Sequence, residues 1–313
     1  ILPRGDWLDE SGPVVEPAIP SFMGSLASEK RLTRLDLANW LTDSEKESGK
    51  LTARVLANRL WYLLFGQGLS PDLTDFGGQG QPPDHPELLD NLAMSLIEKD
   101  WRIKALIREI VLSRSYRQAS VTEKVRASFQ NIRRLPAESI RDNALSISGL
   151  LVREVGGASV KPYQPAGYYR HLNFPTRKYA HHKDQRQWRR GVYVHWQRQF
   201  LHPMLKAFDA PRREECTAQR PRSNTPLAAL VLLNDPTFVQ AAEAFAKRIL
   251  KDGGTSSDSQ LDFAFRYAVS RKPDDFERKT LKTLLSAKDA KEGAAWKTVA
   301  RAILNLAETN LRR

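Results

Sequence analysis

Cysteine is almost absent from this chain: Cys216 is the only one among 313 residues, so no internal disulfide can form. There is no CxxCH stretch for covalent haem and no paired CxxC for zinc, so the sequence carries no cofactor site of either kind. Long apolar runs are missing too. Nothing approaches the roughly 20 residues that span a bilayer, and the opening ILPRGDWLDESG lacks the basic leader and apolar stretch of a secretory signal. That opening reads as the start of an internal fragment. Strand-like alternation is thin throughout, which leaves helices as the main building element.

Positive charge is abundant. The formal net charge is +13, and from Arg170 through Arg222 there are 13 Lys and Arg against 4 Asp and Glu. A field that concentrated favours a polyanion: an acidic glycan, a nucleic acid, phospholipid headgroups or an acidic protein face. The plainer reading is a solvated basic surface in a longer, elsewhere acidic protein.

Residues 1–30 carry Pro3, Pro13, Pro17 and Pro20 without helical or strand periodicity, and are expected to form an extended lead-in. Residues 31–313 then read as one globular all-α domain of many helices with long irregular loops rich in Gly, Pro and Arg, subdivided if anywhere near 158–186. Leu32, Leu35, Leu37, Trp40 and Leu41 predict a short helix, and Leu51, Val55, Leu56, Leu60, Leu63 and Leu64 predict a longer one stopped by Gly66. Leu88, Leu89, Leu92, Leu96 and Ile97 give a third stripe, and Ile103, Leu106, Ile107, Ile110 and Val111 a fourth. A helix after Pro136, with Ile140, Leu145, Ile147 and Leu151 inward, is expected to run to Gly156 and Gly157. Ser223 or Asn224 is expected to cap a helix beginning near Pro226, and Asp235 to cap another whose first turn holds Pro236. Gln187 to Phe200 reads as helix or, through Val192, Tyr193 and Val194, as a short strand. Helices are also expected through LDFAFRYAVS, after Asp274, and around Trp296, Val299, Ile303 and Leu306.

Four groups of side chains can carry chemistry. Asp75 and His85 bracket a glycine-rich loop and can act as base and acid or as metal ligands, although turn-forming and capping roles are the preferred account of them. Glu138 and Asp142 share a helix face; two carboxylates there can do acid-base work, or one can pair with Arg141, three residues from Glu138. Arg186, Arg189, Arg190, Arg212, Arg213, Arg220 and Arg222 can clamp an anion, with Tyr163, Tyr168, Tyr169, Tyr179, Trp188 and Trp196 as stacking faces or as core. The adjacent His181 and His182 cannot readily share a metal if helical, and no metal site is read from the sequence. Cys216, among arginines, is either an activated thiol or, as the preferred reading, a buried structural one.

Over almost its whole length the chain resembles the planctomycete-specific C-terminal domain of unknown function of proteins that also carry a cytochrome-c-like domain. The resemblance lies in RGDWLDESGPVVEPAIP, LTARVLANRLWYLLFGQGLSPDLTDFGGQGQPPDHPELLDNLA, SYRQAS, RRLPAESIRDNALSISGLL, FDAPRREECTAQRPRSNTPLAALVLLND, SRKPDDFE and ARAILNLAE, in that order. It implies an exported, extracytoplasmic parent with any haem on an upstream domain, and a loose association with sulfatases and glycan breakdown. It supplies no catalytic residues. Ala228 stands where the family commonly has Gln, which weakens a ligand contact through a side-chain amide at the helix start after Pro226, and Ala307, Glu308 and Thr309 stand where Asp-Glu-Phe is common. The function expected from residues and resemblance together is recognition or processing of a sulfated or uronic polysaccharide. The alternative is a non-catalytic module docking a cytochrome-c-like or sister domain. Nucleic acid is disfavoured, since no recognised binding motif is present.

Overall fold

The computed structural model describes residues 8–26, 28–118, 120, 132–172, 176–198, 200–286 and 292–312. Parts of three readings, the lead-in at 1–7 and 27, the irregular stretch at 173–175 and the helix-or-strand segment at 199, lie outside the described residues. The protein is all-α: 51% is helical, and among the described residues the only sheet has two short strands. It divides into two compact units, Ile1–Asn131 and Ile132–Arg313.

In the first unit, α1 (Arg34–Thr42) starts on a reciprocal capping box between Thr33 and Asp36. Helix α2 (Glu47–Phe65) stops where Gly66 adopts the left-handed conformation, as the sequence predicts. The buried face differs from the expected one. Leu51, Val55 and Leu63 of α2 and Leu35, Leu37 and Leu41 of α1 are exposed, whereas Ala53, Ala57, Leu60, Trp61 and Phe65 face inward. Two alanines allow close approach of α3 (Pro86–Glu98), and Trp61 stacks on Phe65 with centroids 4.0 Å apart. Helix α3 buries Leu89, Leu92 and Leu96, and α4 (Ile103–Leu112) buries Leu106 and Ile110. The 66–85 loop is held from within. Buried Asn58 donates to Ser70 O and accepts from Ser70 N, each at 3.0 Å, while Leu69 is fully buried.

The second unit opens with β1 (Arg133–Arg134), paired antiparallel to the last element, β2 (Leu311–Arg312). Helix α5 (Ala137–Ser148) follows Pro136 and ends at Gly149, φ 82°, not at Gly156 and Gly157, which are turn glycines farther on. After a long irregular stretch come α6 (Pro203–Ala207), α7 (Pro226–Asn234), α8 (Pro236–Asp252), α9 (Ser257–Val269), α10 (Asp275–Leu285), α11 (Glu292–Leu304) and α12 (Ala307–Asn310). The core lies between α5, α8, α9 and α11, around Ile140, Phe245, Phe265, Trp296 and Val299. Asp235 caps α8 as expected, and α10 begins where expected, with Asp274 as its cap. Thr225, not Ser223 or Asn224, caps α7. The described part of 187–200 forms no α-helix. It makes two 3-10 turns, Gln185–Trp188 and Gly191–Tyr193, and bridges Val152 to Arg189 and Val160 to Val194. Gly191 lies flush on α5, where an added Cβ would come 2.9 Å from Glu138 Cα, and this packing overrides local preference.

Candidate anion-binding surface

Irregular chain leaves carbonyl groups without ladder partners, and in the second unit arginine side chains satisfy them. Arg141, expected to pair with a carboxylate on its own helix face, is fully buried: it donates to Arg189 O at 2.6 Å and to Gln187 O. Burial lowers its pKa to about 10, offset in part by Asp142, Asp235 and Tyr179, so it stays charged at neutral pH. Arg189, expected to bind anions, is also buried. It donates to the carbonyls of Glu154, Gly156 and Ala158 and stacks over Tyr193 at 4.1 Å, so it tethers a loop and is withdrawn from any surface role.

Arg134 does the same for the 209–223 loop. It donates to Ser223 O at 2.5 Å and pairs with Asp209, whose carboxylate also accepts from Ser223 N at 2.7 Å. Burial works against ionisation of Asp209, but Ser223 and Arg134 outweigh it and hold its carboxyl below the usual range. The loop therefore closes on itself at its two ends, as a compact surface loop does.

The remaining candidates separate by partner. Glu138 accepts from Arg220 at 2.8 Å. Asp142 accepts from Gly191 N at 2.6 Å and lies 3.6 Å from Arg190; burial raises its pKa, against the pull of Gly191, Arg141 and Arg190. Both carboxylates on this face of α5 thus anchor neighbouring loops. Arg186 forks onto Asp184 and holds that carboxyl down to about 2. Arg213 lies 3.6 Å over Trp196, whose indole N–H points to Arg212 O at 3.4 Å. Arg212 and Arg213 have no carboxylate partner among the described residues, and Arg222 is exposed in the same loop. Cys216 is exposed at the loop, not buried as expected, because a segment this charged cannot enter the core. Asn224 is exposed beside it.

The tyrosines read as stacking faces are mostly packed on one another: Tyr169 is buried and meets Tyr179 and Phe200 edge to face. In the first unit, Asp75 accepts from Gly77 N at 2.6 Å, an ordinary turn bond, and His85 precedes α3 without a side-chain cap. His85 lines a cavity of about 430 Å³ with Asp84 and Glu87, while the glycine turn lines another of about 320 Å³ with Arg54 and Leu89. No group of three or more His, Cys, Asp or Glu side chains suited to a metal occurs among the described residues. No described helix is long and apolar enough to cross a membrane.

The family model PSD1, a protein of unknown function (DUF1553), matches residues 33–285. The chain belongs to this family. No curated protein and no solved structure matches it. The PSD1 match spans both compact units, and it includes Arg141, Arg189 and the closed 209–223 loop. Reading by sequence did not name the tether Arg134 and took Arg141 only as a pair partner on its own helix. A signal was present for both: arginines beside long irregular stretches that have no other donors for their carbonyls.

Proposed function

We propose that this PSD1 domain grips an anionic polysaccharide, sulfated or uronic, through the 209–223 loop. The observation that carries the reading is Arg212 and Arg213 side by side, exposed and without carboxylate partners among the described residues, Arg213 held flat on Trp196. A guanidinium orders poorly on its own; one stacked on an indole is preoriented for a planar, bidentate contact with a sulfate or carboxylate. Arg220 contributes by exchange, leaving Glu138 for a stronger anion. The reading is one of binding, because Glu138 and Asp142 are engaged in holding loops. We place the parent protein outside the cytoplasm, among planctomycete proteins with a cytochrome-c-like domain and its haem elsewhere in the chain; the motif strings support this. Binding of dextran sulfate, polygalacturonate and neutral dextran, measured by calorimetry across salt, tests the reading. Salt-sensitive binding to one or both acidic polymers, weakened about tenfold by Arg212→Ala/Arg213→Ala, is expected. Equal binding of neutral dextran, or a variant that binds like the parent, would sink it.

A second reading rests on α7. Leu227, Leu230 and Leu233 stand 57%, 53% and 39% exposed along one stripe of a helix that has no charged residue. A sugar polymer does not call for such a stripe. An acidic protein surface does, with its apolar centre on the leucines and its carboxylates toward the basic loop preceding the helix. A cytochrome-c-like or sister domain of the same parent is the partner this favours. Leu230→Glu would abolish that association and leave polysaccharide binding unchanged.

A further inference from the structure

Three basic side chains outside the 209–223 loop are brought together by backbone pairing. Val160 is buried, so its neighbours Ser159 and Lys161, on an extended segment, project to the opposite, outer side. On one flank, His195 N donates to Val160 O at 2.7 Å, and the His195 ring lies 3.4 Å from Ser159 Oγ through Nδ1. The pairing of that flank is closed by backbone alone, with Val160 and Val194 forming an isolated parallel bridge. On the other flank, His182 N donates to Lys161 O at 2.8 Å, and Lys161 N donates to His182 Nδ1 at 3.1 Å. That second bond fixes the imidazole tautomer: Nδ1 must carry the lone pair, so Nε2 carries the hydrogen and is left as a donor. Lys161 is on the segment that both histidines flank, close enough to act on each imidazole, with its ammonium 5.9 Å from the Tyr179 ring.

We propose that this outer face, His182, Lys161 and His195 with Arg177 beside it, is a binding site for a tetrahedral oxyanion, a sulfate or phosphate monoester. His182 supplies a neutral N–H, Ser159 a hydroxyl next to His195, and Lys161 and Arg177, both near enough to act on the His195 imidazole, supply charge. Among the described residues the only carboxylate acting on either imidazole is Asp184, and Arg186 already forks onto it. Burial and the nearby cations lower both imidazoles, Arg186 and Lys161 acting on His182 and Lys161 and Arg177 on His195; Asp184 pulls His182 the other way, and a hydrogen bond that His195 donates to the Gln197 side chain does so for His195. An anion seated among these groups reverses the cationic contribution. His195, whose Nδ1 makes a long contact with Ser159, takes up a proton as the anion binds, so affinity rises as pH falls through the usual histidine range. The site stands on its own geometry and rests on the polysaccharide reading only for the identity of a natural sulfate ester.

The test is a titration of the full chain with sodium sulfate, with sodium phosphate and with galactose 6-sulfate against galactose, at constant ionic strength, followed by NMR of the imidazole nitrogens. Saturable shifts at His182 and His195, several-fold tighter at pH 5.5 than at pH 7.5, are expected. Lys161→Ala/Arg177→Ala should weaken binding at least tenfold, and Lys161→Arg should restore most of it. A tighter grip on galactose 6-sulfate than on either inorganic ion identifies the ligand as an esterified sugar, and the reverse identifies the free ion. Shifts that fail to saturate, or that survive in Lys161→Ala/Arg177→Ala with its circular dichroism unchanged, would overturn the proposal. Failure of Arg212→Ala/Arg213→Ala to affect polymer binding would bear on the loop alone.

Discussion

The helical part of the second unit and the irregular stretch between Gly149 and Thr225 meet the same requirement by different means. Around Phe245 and Val299 the backbone satisfies itself within α8 and α11, and the side chains are free to be apolar. Between Gly149 and Thr225 the backbone does so only in part, through short bridges and turns, and Arg134, Arg141 and Arg189 supply further donors. One consequence is that positive charge in this region has two roles. Arginines with carbonyl partners hold the fold, and Arg212 and Arg213, without carboxylate partners among the described residues, are left to meet something outside it.

The sharpest way to break that comparison is to remove one element from each side. Phe245→Ala should cost about 4 kcal/mol by leaving a cavity among α5, α8 and α11. Arg141→Met should cost nearly as much, about 3 kcal/mol, because the carbonyls of Arg189 and Gln187 lose their donor inside the protein. Urea unfolding measures both, and a cost below about 1 kcal/mol for Arg141→Met would make the arginine contacts incidental.

Acid sharpens it further. His202 is buried with Nε2 against Tyr163 O at 2.8 Å, and burial brings its pKa down to about 4. The folded protein therefore takes up this proton later than the unfolded chain does. Its neutral form is present in both states above the ordinary 6.5, and stability is lost as pH falls from there to about 4, by roughly 3 kcal/mol in all. Asp142 and Asp235, whose pKa values burial raises, oppose part of that loss. The slope of stability against pH in that window should flatten in His202→Gln, and an unchanged slope would show that this imidazole is not the group responsible.

Arg134→Ala should act more locally. A loss of about 2 kcal/mol is expected, together with faster tryptic cleavage within 209–223, because Asp209 and Ser223 lose the group that joins them to β1. Unchanged cleavage would mean that the loop closes without it. The smallest effect is at Cys216, where Ser should change stability by less than about 0.5 kcal/mol and the native thiol should label fully with iodoacetamide.

Much of the helical part was legible. The leucines of α3 fall inward as spaced, Gly66 stops α2, and Asp235 and Asp274 cap the helices they precede, all through bonds between near neighbours. The face of α2 was not, because Ala53 and Ala57 carry little hydrophobic signal yet permit the closest approach, while Leu51 and Val55 remain exposed. Glu138 and Arg141 show the limit most clearly. Their spacing allows an ion pair on one helix face, but Arg141 bonds carbonyls 46 and 48 residues away and Glu138 meets Arg220, 82 residues on. Such partners are set by tertiary packing, which local periodicity does not encode. For Cys216 the composition of the loop was the better guide, since its charges imply exposure whatever a thiol prefers.

The division of arginines into interior tethers and a surface grip is tested most directly by measuring stability and dextran sulfate binding on two variants in parallel. Arg141→Met should lose about 3 kcal/mol, while its folded fraction binds like the parent. Arg212→Ala/Arg213→Ala should keep its stability and bind about tenfold more weakly. If both variants lost stability and binding together, or if the loop variant alone unfolded, the two roles would not be separate and the account would be contradicted.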